Sequence, residues 1–153
     1  MLYARVGACV IFLVFPALHG MLSAAEQPWQ VADRLDLVPT PQQISLDGNE
    51  YSLDGWQIVV ADDVMLARTG AREINDRIVK LGGAELPVTD RLGSANSILI
   101  APCTHSLARR FARKAAVSAK NPGEQGYVVQ VTRYKGKRLL LALGSDDLGA
   151  LYA

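Results

Sequence analysis

Residues 56–83 read WQIVVADDVMLARTGAREINDRIVKLGG, and two different periods meet inside them. Trp56-Gln57-Ile58-Val59-Val60 is a largely β-branched run of the kind that fills a buried strand. From Asp63 onward, Ala67, Ala71, Ile74, Ile78 and Leu81 recur at spacings of four and three, which places them on one helical face. Asp62 or Asp63 is placed to cap the helix start, and Gly82-Gly83 supplies the left-handed residue that ends it near Leu81. Gly70 either weakens this helix by about 1 kcal/mol relative to Ala or allows close packing on a sheet. A strand feeding an amphipathic helix is the unit of an α/β layer structure.

The same reading extends outward. Upstream, Val38-Pro39-Thr40-Pro41 is stiff and extended, because each Pro fixes its own φ and pushes its predecessor toward β. Gln43 to Leu46 and Tyr51 to Leu53 flank Asp47-Gly48-Asn49 and read as a hairpin. Downstream, Leu86-Pro87-Val88 is a short strand whose Pro suits an edge, and Ser97 to Ala101 is apolar enough for a central strand. Thr104 to about Lys120 reads as a second helix, with Leu107, Phe111 and Ala115 on one side and Asn121-Pro122-Gly123 as its breaker. Tyr127 to Thr132 and Leu139 to Leu143 form a hairpin around Tyr134-Lys135-Gly136-Lys137. Ser145 is a good cap for a helix opening with Asp146 and Asp147, and the apolar stretch Leu148 to Ala153 begins a helix it does not finish. The expected fold is α/β (α+β): a mixed sheet of about five to seven strands with two helices packed on it.

The chain has 153 residues, 50% of them hydrophobic, enough to fill the core of one domain and too many for a disordered tail. Arg5, the apolar run Val6 to Leu18 and the small residues Ser23-Ala24-Ala25 describe a secretory signal peptide over residues 1–25, cleaved after Ala25. The competing reading is a retained anchor, since Val6 to Ala25 is about long enough to span a bilayer, although Pro16, His19 and Gly20 interrupt it. Export to the periplasm or exterior is expected, with no membrane contact after cleavage. Residues 26–36 read as a polar linker, and residues 37–153 as the folded domain. Removing Arg5 brings the 16 basic side chains level with the 15 acidic ones, a balance that argues against a nucleic-acid partner.

Candidate functional residues are few. Two Cys and two His leave little room for a metal site, and no cofactor is implied. After cleavage Cys103 is the one cysteine left, read as a small buried hydrophobe rather than a nucleophile paired with His105. Arg109, Arg110, Arg113 and Lys114 form a basic band, read first as a solvated helix face and otherwise as a contact for an anionic polymer or membrane surface. Trp56 is assigned to the core, and Trp29 is a candidate glycan contact in the linker.

Three segments resemble the N-terminal, non-catalytic domain of family 20 glycoside hydrolases, the β-N-acetylhexosaminidases. They are Leu37-Val38-Pro39-Thr40-Pro41-Gln42, Glu124-Gln125-Gly126-Tyr127-Val128-Val129, and Gly144-Ser145-Asp146-Asp147-Leu148-Gly149-Ala150-Leu151-Tyr152-Ala153. Related domains precede the barrel in other glycosidase families, among them α-glucuronidases and O-linked N-acetylglucosaminidases, so the resemblance fixes the domain better than the sugar. It implies a chain cut where a helix leads into a catalytic (β/α)8 barrel, which would be supplied in cis or from a neighbouring reading frame. In that family an adjacent Asp-Glu pair on the barrel does the chemistry with the substrate's acetamido group. This chain has no Asp-Glu dipeptide, so no catalytic residue is assigned and no activity is expected of it alone. Leu148, Leu151 and Tyr152 are the expected barrel-docking residues. The rival reading is a stand-alone exported module for glycans or cell-wall material, using Trp29 and the basic band.

Overall fold

The computed structural model describes Gln43, residues 51–61 and residues 63–153. The expected signal segment, the linker with Trp29, and the turn of the hairpin at Asp47-Gly48 lie outside these residues.

In chain order the elements are β1 (Trp56–Val60), α1 (Met65–Lys80), β2 (Val88–Thr89), β3 (Asn96–Pro102), α2 (Arg109–Lys114), β4 (Tyr127–Tyr134), β5 (Lys137–Gly144) and α3 (Asp147–Tyr152). The five strands form one sheet in the order β2-β1-β3-β5-β4. β1, β2, β3 and β5 run parallel, and β4 returns antiparallel to β5 through the two-residue turn at Lys135-Gly136. Both turn residues have positive φ, 48° and 78°, the twist that suits a tight hairpin. The α/β class and mixed sheet are those expected, and of the three helices among the described residues α3 is the one the sequence begins after Ser145.

β3 is apolar throughout because it is the middle strand and is covered on both faces. Ile98, Leu99, Ile100 and Ala101 are all buried. β2 lies at an edge, where Pro87 needs no ladder N–H, and its carbonyl accepts from Ile58 N at 2.8 Å. On one face α1 and α3 meet over β3, with Ile100 Cγ2 and Leu151 Cδ1 both beside Gly70. Ile100 pairs with Ala142, five residues along β5 from Lys137, the partner of Tyr134. An odd separation along a strand changes face. Tyr134 therefore lies on the opposite side, where Phe111 of α2 meets it edge to face at 5.5 Å.

The helix ends correct several expectations. α1 has Val64 at its N-cap with no side-chain cap, not Asp63; Asp62 lies outside the described residues. Asp63 instead pairs with His105 Nε2 at 3.0 Å, a partner from a distant loop. The stop at Gly82 is as read: its φ is 82°, and Gly82 N and Gly83 N bond back to Val79 O and Ile78 O at 2.9 Å. Leu81, assigned to the apolar face, is exposed. α2 is shorter than the span 104–120. Ala116 turns left-handed at φ 54°, Val117 N bonds back to Ala112 O at 2.9 Å, and Val117 is buried. Asn75 is a polar residue on the buried face of α1; its amide pairs both the N–H and the C=O of Leu86 at 2.9 Å, tying α1 to the segment before β2.

Candidate functional site

The second and third segments singled out in the sequence come together in space. Asp146, not Ser145, caps α3: its Oδ1 accepts from Gly149 N and its Oδ2 from Gln125 N, both at 2.7 Å. Those bonds hold its carboxyl below the usual carboxylate range, the Gly149 N–H first and the Gln125 N–H second. Ser145 is buried and turns the other way, its hydroxyl donating to Gly123 O and lying 3.1 Å from Gly126 O. Ser145 N adds a 2.8 Å bond to Gly126 O. Glycine is required here for closeness: a Cβ on Gly149 would run into Gly126 O, and one on Gly144 would meet the backbone of Asp146, Gly149 and Ala150. The motif residues thus build a backbone junction that aims α3.

Beyond that junction, Leu148 and Leu151 are half-buried, and Leu151 already packs on α1. Tyr152 is exposed, at 41%. Of the three expected docking residues, the structure turns one outward and leaves two partly engaged within the domain.

The remaining candidates do not assemble into a reactive centre. Cys103 is 7% exposed and its Sγ donates to Ser145 O at 3.3 Å; burial pushes its thiol pKa up, away from a thiolate at neutral pH. His105 is committed elsewhere, its Nδ1 accepting from Leu107 N and its Nε2 facing Asp63. Among the described residues no three His, Cys, Asp or Glu side chains gather as metal ligands, and no helix is long and apolar enough to cross a membrane. Trp56 is buried, as its place in β1 implied.

Arg109, Arg110, Arg113 and Lys114 are all exposed, as the solvated-face reading of the basic band has it. Arg110 also lies across the surface of β4: its guanidinium carbon lies 4.7 Å from the Tyr134 ring centre, and its Nη1 donates to Tyr134 Oη at 3.0 Å. Together with Lys114 and Arg133 it lines a groove of ≈ 450 Å³ between α2 and β4. A sequence signal existed for this. Between Asp90 and Asp146 stand ten Lys and Arg residues and one acid, Glu124, a segregation that the overall charge balance conceals.

Residues 42–153 match the family described as Glycosyl hydrolase family 67 N-terminus. The chain belongs to that family. A comparison with curated proteins finds no match. A glycoside hydrolase N-terminal domain is what the sequence resemblance implied, but the family matched is 67, not the hexosaminidase family 20. In this chain Gly126, Gly144, Asp146 and Gly149 serve backbone approach and helix capping, roles that carry no information about a sugar.

Proposed function

We propose that this chain is the accessory N-terminal domain of an exported glycoside hydrolase and that it packs against a catalytic (β/α)8 barrel. Family membership over residues 42–153 carries this reading. The junction supports it: Asp146 and the glycines around it fix the direction of α3 and leave Tyr152 facing outward, where a second domain can cover it. The domain's role is positional, and the carboxylates that carry out the reaction belong to the barrel. A parent of β-N-acetylhexosaminidase type is supported by the three sequence segments, and a parent of another glycosidase type by the family 67 match; the two differ in the sugar cleaved.

The DNA beyond codon 153 tests this directly. An open frame, in the same or a shifted register, encoding a barrel with an Asp-Glu pair favours the hexosaminidase parent. A barrel without that pair keeps the accessory role and removes the hexosaminidase. A clean stop with no barrel nearby sinks the accessory role in favour of a stand-alone glycan module. Purified chain releasing a chromogenic leaving group from an N-acetylglucosaminide would also contradict it.

A further inference from the structure

We propose that the cavity between the start of β1 and the end of α1 binds an organic ammonium, a primary amine carried on an apolar body. Its walls come from the turn before β1, the last turn of α1, the segment leading into β2, and Ala95 before β3. Trp56, Ile78 and Leu86 are buried and give it an apolar lining. Asn75 fixes that lining in place, since its amide holds both backbone groups of Leu86 at 2.9 Å. The polar side chains around it are acceptors. Asp54 and Glu85 are exposed carboxylates, and Gln57 commits its amide N–H groups to Ser97 Oγ at 3.1 Å and Arg91 O at 3.5 Å, leaving its carbonyl oxygen to accept. No Lys, Arg or His lines the cavity, and among the described residues neither carboxylate forms an ion pair. Ile78 and Gly83 add the C-terminal end of α1, where the helix dipole carries partial negative charge. Acceptors and negative charge over apolar walls call for a ligand that donates, is positive and has an apolar body.

Other ligands fit less well. An anion meets two carboxylates and no cation there, and a plain hydrocarbon leaves the carboxylates unused. A hard metal ion takes six or so oxygens, and among the described residues no three ligating side chains gather. The volume, ≈ 350 Å³, falls within the roughly 300–1,000 Å³ usual for small-molecule clefts, room for a phenyl or alkyl body with its ammonium beside the carboxylates. That ammonium can belong to a free amine or to a lysine side chain presented by another protein; the chemistry at the cavity is the same. Neither a sugar nor a barrel enters it, so the proposal stands apart from the accessory role.

Titration of the isotope-labelled chain with phenylbutylammonium, phenylbutanol and phenylbutyrate, followed by NMR at the amides of Gly55 and Gly83 and the indole of Trp56, tests the site. The ammonium is expected to shift these signals to saturation, with the alcohol and the carboxylate binding at least about tenfold more weakly. The double variant Asp54→Asn/Glu85→Gln exchanges two exposed side chains at constant size and is expected to bind the ammonium about tenfold more weakly, as for loss of a charge-assisted hydrogen bond. Glu73→Gln/Asp76→Asn on α1, equally exposed and outside the lining, changes net charge by the same amount and is expected to bind as the parent does. Retained dispersion of the amide spectrum shows that both variants fold. Nα-acetyl-lysine methylamide, with its norleucine analogue as the neutral control, separates the two sources: tighter binding than phenylbutylammonium assigns a protein lysine, weaker binding a free amine, and either sustains the site. The proposal is overturned by no saturable shift with either amine, by neutral controls or the carboxylate binding as tightly as the amines, or by equal effects of the two double variants. Because no barrel takes part, failure here leaves the accessory role untouched, and a missing barrel leaves this site untouched.

Discussion

Asp146 accepts N–H groups from two segments, Gly149 within its own helix and Gln125 before β4, so one carboxylate joins elements 21 residues apart. Replacing it by Ala is expected to destabilise the fold by about 1–2 kcal/mol at pH 7, the scale of a lost N-cap with a second bond. The pH dependence has a definite sign. The folded carboxyl is held below its unfolded value of about 3.9, so its contribution is complete above that pH and is lost as pH falls through the depressed folded value. Urea unfolding of the two proteins is therefore expected to show a gap that is constant at neutral pH and closes in acid; an unchanged gap in acid contradicts the assignment. Cys103 offers a second check at this scale. Buried and bonded to Ser145 O, its thiol is expected to resist a thiol reagent in the native protein and to react quickly in strong denaturant.

Two helix glycines show how packing overrides propensity. Gly70 in α1 has nothing nearer than 3.8 Å to an added Cβ, so Gly70→Ala is expected to stabilise by up to about 1 kcal/mol through helix propensity. Gly149 in α3 stands to gain the same propensity, but its Cβ would strike Gly126 O, and Gly149→Ala is expected to destabilise by roughly 2 kcal/mol or more. Opposite shifts in the urea midpoint check both. The sequence pattern made α1, β3 and the β4–β5 hairpin legible, because each carries its own period or turn. It misassigned the caps at Asp63 and Ser145 because Asp63, Ser145 and Asp146 are all competent caps, and distant partners make the choice: His105 engages Asp63, and the carbonyls of Gly123 and Gly126 engage Ser145. It overextended α2 because nothing local announces that Ala116 turns left-handed. The groove was half legible: its cations stood in the sequence, but the folding of Arg110 onto Tyr134 depends on which face of the sheet α2 covers.

The molecule carries distinct surfaces on its two sides, with Leu151 over the α1–α3 face and the cationic groove with Tyr134 on the other. If α3 is the docking element, Tyr152→Ser is expected to weaken association with a cognate barrel by about tenfold, as for loss of an interfacial aromatic, without lowering the domain's own melting temperature. An equal fall in both would mean that Tyr152 serves the domain alone. The seat of β3 also governs how the protein is made. β3 pairs with β1, synthesised before it, and with β5, synthesised after it. While the ribosome is still translating β4, the apolar flank of β3 that β5 will cover has no strand beside it, and Asp146 has not yet appeared to lock α3. Nascent chains arrested before residue 137 are therefore expected to be cut readily by protease and held by chaperones, whereas chains released past α3 are resistant. Synthesis from one end to the other leaves the centre of this sheet among the last parts to be closed.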